Sequence, residues 1–425
     1  RRNGQIDFGN QRIDQSVKVA QPARDYMTNW ADWRDVQNGY NAREALAARA
    51  ATGQAEPEFT GAYRPITTLR DLATYVHDDA LYQAYLNAAL ILLGRGAGID
   101  PGIPYHKQAT LAQFSHNQEP FAVFGGPHLL TLVTEASSRA LRAVRLQKFS
   151  VHRRTRPEGL AALYHTALSG YRPDGVNAFD DANNIEAEAR SQIAASIAPD
   201  VLPPPAVSEG FYRILERVRV HNAAQNGDDG LGAHASWLLP MAFPEGSPMH
   251  PAYGAGHATV AGACVTMLKA FFAMEEANGT PTYLVPPGGQ ALVPDPGGNP
   301  PTLLTMPQGL TLLGELNKLA WNISNARNFA GVHYYTDYVE SAVLGEDIAL
   351  GILREQMLCY HPSEQVTLTL PLFTPRSLPA ALRHGGPILE GQVVAKVRIL
   401  PDSTLEPVGT MATSAVAAVP EPISA

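Results

Sequence analysis

Residues 139–156 concentrate positive charge: Arg139, Arg142, Arg145, Lys148, Arg153, Arg154 and Arg156 occur there with no Asp or Glu among them. Seven cations in eighteen residues stand out in a chain whose formal net charge is −8. The first four recur at every third position and so drift slowly around one side of a helix. Leu141, Val144 and Leu146 lie between them, which buries part of that helix. A cation held near a core costs several kcal/mol unless it is partnered. Acids from elsewhere in the fold are the plainer partners for Arg139 and Arg142. A bound anion is the alternative for the rest. The interleaved apolar residues argue against an open face for a nucleic-acid backbone.

Two further segments carry complementary chemistry. His250-Pro251-Ala252-Tyr253-Gly254-Ala255-Gly256-His257 runs into an apolar helical stretch. A glycine-rich turn entering a helix points free N–H groups at one spot, where the helix dipole also favours negative charge. A histidine there is placed for proton transfer. Taken alone, Gly254-Ala255-Gly256 reads as an ordinary tight turn. The second segment is Arg327-Asn328-Phe329-Ala330-Gly331-Val332-His333-Tyr334-Tyr335-Thr336-Asp337. An imidazole oriented by a carboxylate can act as metal ligand or nucleophile. A lone His here would read as a core residue and a lone Arg as half of a surface ion pair. The conjunction of a cationic helix, a Gly-His helix entrance and a distant Arg…His…Asp makes an oxyanion cradle.

Helices must position these groups. Residues 69–94, 127–148, 208–225, 257–277, 309–328 and 336–357 carry apolar residues at three- and four-residue spacing. Asp337 and Glu340 suit the acid-rich first turn of the last of these. The fold class is therefore all-α, built from helical bundles. Residues 392–400 alternate as a terminal strand would, without an evident core role. Proline and glycine mark joints at 101–104, 203–205 and 286–301. Residues 1–400 read as one helical domain, and residues 401–425 as a loose tail.

Composition bounds the function classes. With 45% hydrophobic and 17% charged residues, the 425-residue chain is packed rather than disordered. No apolar run reaches the ~18 residues of a membrane span. Net acidity excludes a nucleic-acid partner for the protein as a whole. Cys264 and Cys359 form neither a disulfide framework nor a zinc site and read as two buried thiols. The chain starts Arg1-Arg2-Asn3 without an initiator Met, which reads as a processed or truncated form, and its first residues assign no compartment.

On these residues the sequence resembles the vanadium haloperoxidases, which share a site with the type 2 phosphatidic acid phosphatase and bacterial acid phosphatase superfamily. Lys148 with Arg156-Pro157, Gly254-Ala255-Gly256-His257, and Arg327 with Gly331, His333 and Asp337 match the superfamily's three motifs in order. Seven residues between Lys148 and Arg156 resemble the bromoperoxidases of red algae and cyanobacteria. So do Asp71–His77, Lys148–Arg154, Leu238–Phe243 and Gly331–Tyr334, in a likeness running from about residue 10 to about residue 375. The N-terminal portion of full-length members is not found in it.

The resemblance implies two four-helix-bundle cores and a vanadate cofactor, with phosphate able to take its place. It implies that His333 binds vanadium, and that Lys148, Arg156, Arg327 and the Gly256 N–H hold the vanadate oxygens. His257 would be the acid–base group, His250 a second active-site histidine, and Arg145 the arginine tied to halide preference. Hydrogen peroxide, bromide and small organic molecules would be the substrates. A homo-oligomer, from dimer up to dodecamer, and an extracytoplasmic location follow from the family alone. Two departures stand out: Ala255 replaces the serine that would hydrogen-bond vanadate, and Ala326 the serine before Arg327. A lost donor costs roughly 1–3 kcal/mol, which weakens binding without abolishing it. The structural calcium of algal relatives, near residues 105–119, is not expected, since Glu119 is the only acid there. Two rivals remain open: a phosphatase with His333 as phosphoryl acceptor and His257 as leaving-group acid, and a non-catalytic anion-binding or storage protein, which Ala255 keeps alive.

Overall fold

The computed structural model describes residues 4–104, 120–169, 211–227, 235–295 and 301–409. The stretch tied to calcium in algal relatives and the 203–205 joint lie outside them. Strand β1 (Gln5–Phe8) pairs with β2 (Gln11–Asp14), and β3 (Val17–Ala20) with β4 (Phe59–Arg64), both antiparallel. Between β3 and β4 lie α1 (Trp30–Gln37) and α2 (Ala42–Ala51), each capped at its N-terminus by an asparagine side chain. Helix α3 (Leu69–Tyr75) starts on a Thr68/Asp71 capping box, and α4 (Gln83–Gly94) follows.

The bundle proper is formed by the longer helices. These are α5 (Gly126–Leu146), α6 (Pro157–Ser169), α7 (Phe211–Gln225), α8 (Gly256–Phe271), α9 (Leu312–Phe329) and α10 (Tyr335–Met357). Helix α8 is the axis: every residue from Ala258 to Phe271 is buried, and α5, α9 and α10 pack around it. Such an all-round apolar helix belongs at the centre of a core. Its closest neighbour is α10. A side chain on Gly262 would collide with the Ala342 carbonyl, and one on Gly345 with the Thr259 carbonyl. The two backbones therefore touch, which brings the N-terminal ends of both helices together. Between α8 and α9 the chain leaves as β5 (Tyr283–Val285) and β6 (Gln290–Val293) and returns as β7 (Thr302–Thr305) and β8 (Leu310–Thr311). A sheet of β9 (Leu368–Ser377), β10 (Val393–Ile399) and β11 (Leu405–Pro407), in the order β11-β10-β9, closes the far end.

The all-α class and its principal helices agree with the periodicity, and five particulars differ. The helix expected over 69–94 breaks at 76–82, because α3 ends on Val76 and α4 restarts at Gln83. The helix expected to run to 277 stops at Phe271, where Phe272 turns extended. The strand over 392–400 forms as β10 but does have a core role: Val394, Val397 and Ile399 are buried in the main cluster. The loose tail expected from residue 401 does not hold for β11, which pairs with β10. Cys264 is buried as expected, whereas Cys359 is exposed, since α10 has ended at Met357 and the chain is turning away from the core.

The contact of α8 with α10 predicts that Gly345→Ala pushes the helices apart. We expect a loss of about 1–3 kcal/mol, read as a lower midpoint of thermal unfolding by circular dichroism. An unchanged midpoint would show that the backbones do not touch there.

Candidate functional site

Helix α5 does not end as an ordinary helix. Gln147–His152 form a π-helical turn closed by Arg153 at φ 48°, a wide geometry that recurs at functional sites. It turns Lys148 inward until only 3% of the residue is exposed. The Lys148 Nζ donates to the carbonyls of Pro251 (2.7 Å) and Ala252 (3.1 Å). Arg156, at the start of α6, lies against the same loop. Its Nε donates to His250 O (2.8 Å) and its Nη1 to Val332 O (2.7 Å). Nη2 stands 2.8 Å from His250 Nδ1 and Nη1 3.2 Å from His333 Nε2.

Arg327 reaches the site from the last turn of α9. Its Nη1 donates to the Val76 carbonyl at 3.1 Å, which is free because α3 has just ended there. Its buried Nε has no hydrogen-bond partner. Gly331 then ends the helix with φ +83°, at a point where a side chain would meet the Met241 sulfur; glycine suits both demands. This delivers His333 to the start of α10. His333 Nδ1 lies 3.0 Å from Asp337 Oδ2, which also accepts the Tyr334 N–H at 3.0 Å. The other Asp337 oxygen accepts from Arg154 Nη1 at 2.8 Å. Asp337 therefore fixes the tautomer: Nδ1 carries the proton, and Nε2 presents a lone pair toward Arg156.

The α8 entrance supplies the opposite wall. His257 Nε2 lies 2.8 Å from Asp79 Oδ1, in the break between α3 and α4. Gly256, His257 and Ala258 occupy the first turn of α8, where N–H groups have no intrahelical acceptor. The Ala255 N–H is not among the free donors, because it donates to Ser341 Oγ at 2.8 Å. The Ala255 methyl belongs to an apolar cluster with Ala258 and Tyr338.

Electrostatics give the site its character. Lys148, Arg156 and Arg327 are all buried, and among the described residues none has a carboxylate within salt-bridge distance. Burial, then the Arg156 cation, pulls Lys148 down to about 7. Burial and Arg327 lower Arg156 to about 10. Burial lowers Arg327 to about 10 against the pull of Asp79 and Glu245. Burial outweighs the Asp337 hydrogen bond and brings His333 to about 3, while burial, Lys148 and Arg156 bring His250 to about 4. His257 is lowered by burial against Asp79. The imidazoles are neutral near neutrality, and the cations repel one another. No group of three His, Cys, Asp or Glu among the described residues could hold a metal cation. The arrangement suits an oxyanion.

Lys148, Arg156, His250 and His333 are thus brought together by direct hydrogen bonds or shared carbonyl-bearing segments, Arg327 lies near enough for its charge to act on all four, and Gly256 and His257 line the α8 entrance. Arg145 is not brought in. It stands exposed one turn before Lys148, with no hydrogen bond or ion pair to a cradle residue among those described. Arg139 pairs with Glu135 and Glu355, as the plainer reading of it anticipated. Sequence reasoning missed Asp79 and Ser341, and it singled out Arg154 only as one cation of the 139–156 run and not as the partner of Asp337. The consecutive acids Asp78-Asp79 interrupting an apolar helix could have signalled the first; nothing marked Ser341.

Comparison with known proteins finds relatives of the chain. The family model of the VCPO second helical-bundle domain matches residues 212–359. The vanadium-dependent bromoperoxidases of Corallina pilulifera and Corallina officinalis are each 42% identical over 372 residues, 87% of this chain and 54% of theirs. That of Ascophyllum nodosum is 31% identical over 370 residues. The chain therefore spans about half the length of the curated relatives it matches. A homohexameric vanadate-dependent bromoperoxidase from Ascophyllum nodosum, solved as a structure, superposes with a TM-score of 0.61 at 24% identity, over 96% of this chain and 60% of that one; the likeness is one of fold.

The depressed Lys148 has a measurable consequence for any tetrahedral dianion. Binding requires the ammonium, so sulfate affinity should be constant below pH 7 and fall by up to about tenfold per pH unit above it. Titration calorimetry in buffers of different ionisation enthalpy should detect proton uptake near pH 8. Lys148→Gln should remove both the slope and the uptake. A flat profile in the unaltered protein would mean that Lys148 keeps an ordinary ammonium pKa or does not face the anion, and an unchanged sulfate affinity in Lys148→Gln would single out the second.

Proposed function

We propose that the chain is a member of the vanadium haloperoxidase family, binds vanadate in the Lys148–Arg156–Arg327–His333 cradle and uses hydrogen peroxide to oxidise bromide. The observation that carries this reading is a deficit of negative charge: three buried cations without a carboxylate partner among the described residues, and a buried Arg327 Nε without an acceptor among them. A vanadate oxyanion supplies that charge and those acceptors, and His333 Nε2 supplies the nitrogen ligand that distinguishes metal binding from simple ion pairing. The relatives' names specify vanadium and bromide.

Bound there, vanadate supplies a Lewis-acidic centre that activates peroxide without changing oxidation state. The protein's part is positioning and charge. Lys148, Arg156 and Arg327 offset the anion's charge from fixed, water-poor positions, where such interactions count for more than in water. First-turn N–H groups of α8, with Gly256 foremost, add donors that carry no side chain to exclude the anion. Asp337 holds His333 in the tautomer whose Nε2 faces the site, and Arg154 holds Asp337 ionised. Asp79 occupies His257 Nε2, so the proton that His257 exchanges with peroxide or product sits on Nδ1. His250 acts through Arg156, keeping its guanidinium turned toward the cradle. Ala255 contributes no hydroxyl, and its N–H is spent on Ser341, so anion binding rests on the cations. Arg145 is outside this set, and its replacement should leave vanadate affinity unchanged. Small organic molecules would accept the oxidised halogen. We further propose that copies of the chain assemble, as those of the homohexameric relative do.

Vanadate added to the apo-protein should restore peroxide-driven bromination of a dye, with phosphate competing for the site. Restoration by haem or iron instead would overturn the reading. His333→Ala should lose stoichiometric vanadium by elemental analysis while helical content stays constant, because the methyl left at that position offers no nitrogen. Asp79→Asn should retain vanadium but shift the pH dependence of turnover, since the carboxylate that favours protonated His257 would be gone. An unaltered profile would remove His257 from proton transfer.

A further inference from the structure

Apart from Val332 O, the carbonyls that hold the cradle cations come from two stretches of irregular main chain. The link between α3 and α4 offers Val76 O to Arg327. The loop before α8 offers His250 O to Arg156, and Pro251 O and Ala252 O to Lys148. The α3–α4 link also carries Asp79, which meets His257. Main-chain bonding hardly fixes that link. His77 N donates to Thr74 O at 3.1 Å, and no backbone hydrogen bond joins the Asp78 or Asp79 N–H to another described residue. Side chains must therefore hold it in place.

His77 lies between the two anchors, one residue after Val76 and two before Asp79. Its Nε2 is 2.9 Å from Glu245 Oε1, and its ring stacks on Phe243 with centroids 3.7 Å apart. Both partners belong to the loop before α8. Phe243 in turn shares an apolar cluster with Ala330 and Val332, the residues that lead into His333. Arg43 of α2 completes the contact. Its Nη2 lies 2.7 Å from His77 Nε2, 3.1 Å from Glu58 Oε1 and 3.2 Å from Glu245 Oε1. A guanidinium only donates and a carboxylate only accepts. His77 Nε2 thus has a partner in either neutral tautomer, giving its proton to Glu245 or accepting one from Arg43. The imidazole is held by edge and by face at once.

We infer that His77 is a positioning residue: it clasps the α3–α4 link to the loop before α8, and so sets where Val76 O holds Arg327 and where Asp79 meets His257. It touches neither the cradle nor its anion. An ion cluster that only stabilised the fold could stand anywhere on the surface, whereas this one is centred between the anchors of two site residues. The geometric inference concerns the cradle as an anion site, and it rests on the proposed function only where turnover is measured.

The test separates position from stability. His77→Phe keeps the stack on Phe243 and removes the hydrogen bonds. His77→Gln places an amide, able to donate and to accept, near the position of Nε2. Sulfate titrated below pH 7 probes the cradle without a cofactor. His77→Phe should raise the sulfate Kd about tenfold, the effect of misplacing one hydrogen bond to a charged group. His77→Gln should return it to within about threefold of the unaltered protein. His77→Leu, close to His in volume, should repeat the loss and serves if the larger ring does not fit. Where the unaltered protein brominates, the pH dependence of turnover should change in His77→Phe as in Asp79→Asn, because Asp79 moves with Val76. A lower midpoint of thermal unfolding with unchanged sulfate affinity, in both His77→Phe and His77→Leu, assigns His77 to stability alone and overturns the inference. So does a sulfate affinity that His77→Gln leaves as low as His77→Phe does. Absence of vanadate-dependent bromination in the unaltered protein overturns the proposed function instead, and the sulfate comparison still decides the clasp.

Discussion

The structure depends on keeping three cations buried and close together without neutralising them. Lys148, Arg156 and Arg327 come from three different elements, and each is held by main-chain carbonyls rather than by acids: Pro251 and Ala252, His250 and Val332, and Val76. A carbonyl orients a cation and leaves its net charge intact, whereas a carboxylate would cancel the charge that an anion is to meet. The acids stand one layer back. Asp337 serves His333, and Asp79 serves His257. This spatial division, carbonyls to the cations and carboxylates to the imidazoles, keeps the cradle positive and the imidazoles in defined tautomers. Burying charge unpaired is unfavourable by several kcal/mol per group, so the surrounding fold must supply stability that the site removes.

That stability comes from the helices behind it. The backbone contact of α8 with α10 at Gly262 and Gly345 admits no side chain, so the relative height of the two helices has little freedom. His257 sits in the first turn of one and His333 just before the first turn of the other. A shift of one helix along its partner would separate His257 from His333, the groups proposed for proton transfer and vanadium binding. The constraint that sets the distance across the pocket thus lies a turn or more inside the core, at positions with no chemistry of their own.

Much of this was legible in the sequence, for identifiable reasons. The long helices declare themselves through apolar periodicity, and the cradle through residue types that are costly to bury: cations without acids at 139–156, and a His with an Asp four residues on. What escaped depends on three-dimensional approach. Asp79 hides in the break between α3 and α4, because a short loop between two apolar helical runs preserves enough spacing to read as one helix. Arg145 shows the converse case. It lies in the same cationic run as Lys148, but the π-helical turn begins only at Gln147, so Lys148 is rotated inward and Arg145 remains on the outer face. The terminal strand read correctly as a strand, yet its partners β9 and β11 were not read as strands, and only their pairing explains why it is buried.

The far end of the same helix pair shows that burial of cations does not by itself make a site. Lys269, near the end of α8, is fully buried 3.8 Å from Glu346 on α10 and lies over the Phe373 ring at 3.6 Å. Arg376 of β9 bridges Glu346 (3.1 Å) and Asp347 (2.5 Å). Two cations meet two carboxylates there, so the cluster is balanced within the chain and ties the terminal sheet to the bundle. At the other end, three cations share a space in which the nearest acids are engaged by imidazoles. Burial, helix pair and residue types are alike; the local sum of charge is not. An electrically balanced cluster has nothing to gain from an added ion, while an unbalanced one lowers its free energy by taking up an anion. It is this difference, more than the identity of any one residue, that separates a structural ion cluster from a binding site along α8 and α10.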